Sequence, residues 1–158
     1  MKVLIYGGGA REHALAWKIS QSPLLSKLYL CKPNDGFAEL GEALEAENFS
    51  QLANISKEKE IDLLIVGPED PLVNGITDEF KKAGIPVIGP DKQWAQLEGS
   101  KEFAKKFMER NNIPTGKYET VTDKSQIYNV LDQFSMPVVL KADGLAAGKG
   151  VYIAETRI

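Results

Sequence analysis

The sequence holds one cysteine, one histidine and no long hydrophobic run. With Cys31 as the single thiol, no intrachain disulfide can form, and a reducing, cytoplasmic setting is expected. With His13 as the single imidazole and no cysteine near it, a metal site of the usual nitrogen and sulfur ligands is unusual. The apolar start, Met1 to Tyr6, is too short for a signal peptide or a membrane span. Basic charge is not in excess: 19 lysines and arginines face 22 carboxylates, for a formal net charge of -3. That balance argues against a nucleic-acid partner, which requires a concentrated basic face. Low-complexity tracts and internal repeats are absent too.

What remains is ordinary globular usage, 43% hydrophobic and 26% charged. A chain of 158 residues can form one domain or two small ones with a core that needs no staples. Glycine and proline punctuate the first half. Lys2 to Tyr6 reads as a buried strand ended by Gly7-Gly8-Gly9, and Ala10 to Gln21 as a helix stopped before Pro23. Leu28 to Cys31 reads as a second strand, closed by the turn residues Lys32-Pro33-Asn34-Asp35-Gly36. Phe37 to Phe49 is ambiguous. Ser50 is a candidate cap for a short helix through Lys59. Asp62 to Val66 reads as a strand ending at Gly67-Pro68-Glu69-Asp70-Pro71, Leu72 to Ala83 as a helix ended by Gly84, and Ile85 to Ile88 as a strand. Alternating strands and helices predict right-handed βαβ units and an α/β, Rossmann-like parallel sheet. Ligands of such sheets bind at the carboxyl ends of the strands. Three glycine-bearing loops are expected there, at 7–9, 34–36 and 67–69.

Asp91 to Glu98 reads as a short helix and Gly99-Ser100 as a break, so a domain boundary is placed between 98 and 99. Beyond it the pattern predicts a helix from Lys101 to Asn112 and a strand from Tyr118 to Thr122. Asp123 to Gln126 has capping-box spacing for a helix to about Phe134, and strands follow at 137–142 and 151–154. Between the last two lies Lys141-Ala142-Asp143-Gly144-Leu145-Ala146-Ala147-Gly148-Lys149-Gly150, with three glycines and two lysines in ten positions. Glycines let a backbone approach a ligand, successive N–H groups can cradle an anion, and lysine suits phosphate. The spacing is not that of a P-loop: three residues separate Gly144 from Gly148, and Gly150 stands where the magnesium-binding hydroxyl belongs. A glycine-rich loop at the tip of a hairpin is expected.

Taken singly, these residues have plain structural readings. Gly7-Gly8-Gly9-Ala10-Arg11-Glu12 follows a strand and opens a helix, as a dinucleotide fingerprint does, but Glu12 replaces the third glycine. Cys31 and Lys32 stand at the end of the second strand in place of a ribose-binding acid. A phosphate-bearing substrate at the helix start is the preferred reading over a nicotinamide or flavin, and a tight packing turn is the plain one. His13 packs near the glycine loop or contacts substrate. Asp70 can cap the helix after it, which leaves Glu69 as the better ligand contact. Lys101 alone reads as a solvated helix face. Lys141, at the end of an apolar strand, calls for an anion opposite it.

Together the motifs resemble one family. Gly-Gly-Ala-Arg-Glu-His-Ala-Leu-Ala-Trp-Lys at 8–18, Val-Gly-Pro-Glu at 66–69, Gln-Leu-Glu-Gly-Ser-Lys at 96–101 and the run at 141–150 look like phosphoribosylamine–glycine ligases. The resemblance spans the chain and implies a pre-ATP-grasp domain over 1–98 followed by the start of an ATP-grasp domain over 99–158. It implies a cytoplasmic carbon–nitrogen ligase of purine biosynthesis. Such an enzyme joins glycine to 5-phosphoribosylamine with ATP and Mg²⁺ through a glycyl phosphate, with no nucleic acid or membrane involved. Carried over by motif, Gly8, Gly9, Arg11, Asn34, Gly36, Pro68 and Glu69 would bind the sugar phosphate. Lys101, Lys141, Asp143, Gly144, Gly148, Lys149 and Gly150 would bind ATP, with 143–150 as a mobile lid. Two departures stand out. The family's Pro-Gly-Asn-x-Gly is Lys-Pro-Asn-Asp-Gly at 32–36. Family members also run to more than twice this length, so the magnesium ligands and the glycine site are expected downstream and the chain alone is expected to be inactive. Another ATP-grasp ligase and a non-catalytic nucleotide-binding module are the alternatives.

Overall fold

The computed structural model describes residues 1–37, 39–146 and 148–156. The chain divides into two compact units, one from Met1 to Ala95 and one from Gln96 onward.

The first unit begins with β1 (Lys2–Tyr6), α1 (Ala10–Ser20) and β2 (Lys27–Cys31). A 3₁₀ turn at Asp35–Phe37 leads to a short strand, β3 (Glu42–Leu44). Then come α2 (Phe49–Glu58), β4 (Leu63–Val66), α3 (Glu69–Val73), α4 (Ile76–Lys82) and β5 (Val87–Ile88). The five strands form one parallel sheet in the order β3-β2-β1-β4-β5. Side chains alternate across it. Leu4, Tyr6, Tyr29, Cys31, Leu64 and Val66 meet Leu52, Ala53, Ile76 and Phe80 from α2 and α4 on one face. Val3, Ile5, Leu28, Leu30 and Ile65 meet Ala16 and Phe37 on the other. Both faces are therefore covered, as near-continuous apolar strands require. The strand order reverses between β1 and β4, so this unit has a topological switch point at their carboxyl ends.

Three details differ from the sequence reading. The ambiguous segment holds β3, three residues long, whose register on β2 pairs Leu30 with Ala43. The cap of α2 is Asn48, whose side chain accepts the Gln51 N–H at 2.9 Å, in place of Ser50. The single helix expected over 72–83 is two helices, because Gly75 sits at φ 92° between α3 and α4. Asn74-Gly75 is turn chemistry, and it prevails over the apolar periodicity.

α5 (Lys92–Gly99) carries the chain from the first unit into the second, whose elements are α6 (Lys101–Arg110), α7 (Ile127–Leu131), β6 (Val138–Lys141) and β7 (Val151–Ala154). β6 and β7 form the expected antiparallel hairpin, pairing Val138 with Ala154 and Lys141 with Val151. Ser100 caps α6 by accepting the Phe103 N–H at 3.1 Å. The strand expected at 118–122 does not form; that segment has no regular secondary structure and pairs with no strand. β-propensity marks a residue that fits a pleated surface, and a strand also needs a neighbour to take its N–H and C=O groups. The helix expected to reach Phe134 is shorter: a 3₁₀ turn at Lys124–Gln126, capped by Asp123, runs into α7 and stops at Leu131. Among the described residues of this unit, Val138 is the one buried apolar side chain. Val139, Val151, Tyr152 and Ile153 of the hairpin are 48–64% exposed. Among the described residues, no helix is long and apolar enough to cross a membrane.

Candidate functional site

Because β2, β1 and β4 are parallel neighbours, the loops that follow them emerge at one edge of the sheet. The sequence-predicted glycine loops at 7–9, 34–36 and 67–69 are those loops, and they touch. Gly7 turns at φ 122°, a conformation open to glycine, and a Cβ there would lie 2.8 Å from Pro68 Cδ. The Asn34 amide donates to the Gly8 carbonyl at 2.6 Å and accepts the Gly36 N–H at 2.8 Å. A Cβ on Gly8 would stand 2.5 Å from the Lys32 carbonyl. Asn34 therefore links the first loop to the second. Arg11, on the first turn of α1, reaches the third: its Nη2 donates to Glu69 Oε1 at 3.3 Å. Glu69's own backbone N–H and the Arg11 guanidinium hold its carboxyl below the ordinary glutamate range. All seven residues expected on the sugar-phosphate side, Gly8, Gly9, Arg11, Asn34, Gly36, Pro68 and Glu69, thus lie on these three loops or the turn beside them.

The residue that sequence reasoning missed is Glu12. Its side chain is 5% exposed and stands between the first and third loops. Oε2 accepts the Gly9 N–H at 2.8 Å and Oε1 accepts Arg11 Nε at 3.3 Å. The signal was available: Glu12 is three residues past Gly9, the capping-box offset. The sequence reading used it only as a missing glycine. His13 packs its ring 4.9 Å from that of Phe37 and lies 3.4 Å from where a Gly36 Cβ would stand. Lys32 takes a left-handed φ of 57° and holds its ammonium 5.5 Å from the centre of the Tyr6 ring. Burial raises the Cys31 thiol, which suits a packed residue rather than a nucleophile.

In the second unit, the residues expected to meet ATP split into two groups. Lys101, Asp143 and Gly144 are brought together across 42 or 43 positions of sequence. Asp143 Oδ1 accepts the Lys101 N–H at 2.6 Å and its Oδ2 accepts the Ser100 hydroxyl at 3.0 Å. The Lys101 ammonium donates to the Gly144 carbonyl at 2.8 Å. So Lys101 is not a solvated lysine on a helix face; it ties α6 to the glycine loop. Burial works to raise the Asp143 carboxyl, but the Ser100 hydroxyl and the N–H groups of Glu102, Lys101 and Gly144 hold it below the ordinary aspartate range. Gly148, Lys149 and Gly150 lie on the returning side, where Lys149 N–H donates to the Ala146 carbonyl and Ala142 N–H to the Gly150 carbonyl, each at 2.8 Å. Position 147 of this loop is outside the described residues. Beside it is an open cavity of about 650 Å³, with Lys101, Lys105, Lys117 and Lys141 around apolar Leu131 and Leu140. Its size is in the range of small-molecule sites. Among the described residues, no group of three or more His, Cys, Asp or Glu could hold a metal ion.

A parallel sheet with three interlocked loops at its carboxyl edge, followed by a helix tied to a glycine-tipped hairpin, defines an α/β protein of the ATP-grasp class. The chain belongs to the phosphoribosylglycinamide synthetase family: residues 1–98 match the family's N domain and residues 99–158 its ATP-grasp (A) domain. Phosphoribosylamine–glycine ligase of Brucella melitensis is 50% identical over 158 residues, and that of Haemophilus influenzae 48% identical over 161. In both cases 99% of this chain is aligned with 37% of the relative, so the chain spans little more than a third of their length. The crystal structure of phosphoribosylamine–glycine ligase from Thermotoga maritima superposes with a TM-score of 0.79 at 30% identity, covering 99% of this chain and 36% of that one. N5-carboxyaminoimidazole ribonucleotide synthetase from the same organism, at 21% identity and a TM-score of 0.73 over 99% of this chain and 41% of that one, shares the fold.

Proposed function

We propose that this chain forms the sugar-phosphate-binding and loop-bearing part of a phosphoribosylamine–glycine ligase, which joins glycine to 5-phosphoribosylamine at the expense of ATP. The observation that carries this reading is the convergence of the three loops on one edge, held by Asn34 to Gly8 at 2.6 Å and Arg11 to Glu69 at 3.3 Å. Residues 1–98 are assigned to the sugar phosphate. The phosphate takes the first-turn N–H groups of α1, which have no acceptor inside the helix, and the Arg11 cation. Glu69 and Asn34 offer an acceptor and an amide to ribose hydroxyls.

Residues 99–158 are assigned to ATP. Lys101 and Lys141 supply cations, and 143–150 covers the phosphates. When bound, ATP supplies the phosphoryl group that activates a carboxylate. The described residues include no group of three or more His, Cys, Asp or Glu that could hold a metal ion, and no step is assigned to magnesium.

The chain by itself does not turn over. The chain spans little more than a third of its relatives' length, and the apolar residues of its hairpin are exposed. Two measurements test the assignment. Phosphate release with ATP, glycine and phosphoribosylamine is expected to stay at background for the purified chain, and turnover would refute it. Calorimetry with ribose 5-phosphate is expected to show weak binding. A flat trace at millimolar ligand would remove the sugar-phosphate reading. Fractionation that finds this protein outside the cytoplasm would contradict a cytoplasmic setting.

A further inference from the structure

We infer that Glu12 sets the ligand capacity of the sheet edge: its carboxylate stands in for a second phosphate and restricts the crevice to a phosphate monoester. The inference rests on the sugar-phosphate reading above, and three observations carry it.

The first is position. Glu12 lies at the switch point, between the carboxyl ends of β1 and β4. A Cβ on Gly7 would lie 2.9 Å from Glu12 Cγ, one on Gly9 would lie 2.6 Å from Glu12 Oε2, and one on Gly67 would overlap the carboxyl group. Three glycines from two loops thus clear a hollow. Dinucleotide sites clear such a hollow so that backbone can approach a pyrophosphate. Here the chain's own side chain fills it.

The second is the donor. The Gly9 N–H is a group that a phosphate at this helix start would use, and it donates to Glu12 Oε2 at 2.8 Å. The third is charge. The Glu12 side chain is 5% exposed and its other oxygen pairs with Arg11 Nε at 3.3 Å. A phosphate entering the hollow would meet a fixed like charge with little water between them. A phosphate on the outer side, against the exposed end of Arg11, would not.

The test is calorimetry on the 158-residue chain with ribose 5-phosphate and ADP-ribose as probes. Glu12→Gln removes the charge and leaves a neutral side chain that an entering phosphate can push out of the hollow. It is expected to tighten ADP-ribose binding by about tenfold or more while ribose 5-phosphate stays within about threefold. Equal tightening for both probes, or no gain for ADP-ribose with the thermal midpoint unchanged, overturns the inference. Glu12→Asp keeps the charge and opens the hollow by one methylene. It is expected to bring no gain for ADP-ribose, and a gain there overturns the inference even if the glutamine variant fails to fold. If the unmodified chain binds no ribose 5-phosphate, the sugar-phosphate reading falls, and the ADP-ribose comparison between unmodified chain and variants still decides the role of Glu12.

Discussion

Asp143 Oδ1 accepts the backbone N–H of Lys101 at 2.6 Å, joining residues 42 positions apart. A carboxylate at a helix start complements the partial positive charge there and satisfies donors that the helix leaves unmet. Asp143 does this from the hairpin loop, so one bond pair both caps α6 and fixes where the loop begins. Asp143→Ala is expected to cost about 1 kcal/mol locally, the usual worth of a capping side chain. Amide hydrogen exchange is the direct readout. Lys101 and Glu102 should exchange about fivefold faster, and unchanged rates would show that Ser100 alone holds this end.

The same contact gives a pH dependence with a defined sign. The Asp143 carboxyl is held below the ordinary aspartate range in the folded chain. Its contribution is therefore fully present above the unfolded value, ~3.9, and is lost as pH falls through the lower folded value. The Lys101 amide resonance should follow that titration, with a midpoint below ~3.9. A midpoint at or above it would mean that the contact does not favour the charged carboxyl.

Asn34 offers a sharper test of the three-loop edge, because it donates to one loop and accepts from another. Asn34→Asp keeps the acceptor for the Gly36 N–H but sets a carboxylate oxygen against the Gly8 carbonyl, 2.6 Å from where the amide nitrogen stood. Asn34→Ala merely removes both bonds. The aspartate variant is expected to be the less stable of the two by about 1 kcal/mol, since a repulsive pair is worse than a missing one. Thermal unfolding monitored on the first unit decides the order, and the reverse order would mean that the Gly8 carbonyl turns away freely.

Much of the first unit was legible because each strand is a short apolar run closed by glycine or proline. Tyr6 to Gly7 and Val66 to Gly67 mark strand ends to the residue, and strand ends fix the ligand edge once the sheet is parallel. β3 escaped notice because Glu42–Leu44 has three residues and no alternation to read. The break at Gly75 escaped because apolar periodicity runs through it on both sides. At the site, the glycines were found as a class, but Glu12 was not. Its role depends on Gly67, 55 positions away, leaving room for it. Local pattern cannot report a partner brought in by sheet order. The same holds for Lys101, whose tie to Gly144 exists only after the hairpin folds back. The failed strand at 118–122 shows the converse, local propensity without a neighbour to pair with.

The exposed hairpin face predicts behaviour in solution. Val139, Val151 and Ile153, which share one side of the hairpin, are 49%, 48% and 58% exposed. Contiguous apolar surface of this kind drives association. Ile153→Lys is expected to shift the chain toward monomer in sedimentation velocity while changing the thermal midpoint by less than the equivalent of about 0.5 kcal/mol. A large fall in midpoint would show that Ile153 is packed in the isolated chain.

Two glycines separate a steric requirement from a conformational one. Gly84 has φ 78° and open space around its missing Cβ, so Gly84→Ala costs only the left-handed backbone, about 1–2 kcal/mol. Gly67 has no such φ, but a Cβ there would overlap the Glu12 carboxyl group. Gly67→Ala is expected to cost more, about 3 kcal/mol, by displacing a buried, hydrogen-bonded charge. Shortening Glu12 removes the clash, so Gly67→Ala and Glu12→Ala should be strongly non-additive. The double variant should be more stable than the sum of the two losses by more than about 1 kcal/mol. Thermal or denaturant unfolding of the four proteins closes the cycle. Simple additivity would mean that Glu12 already moves out of the hollow, and that the three glycines are empty space rather than a seat built for its carboxylate.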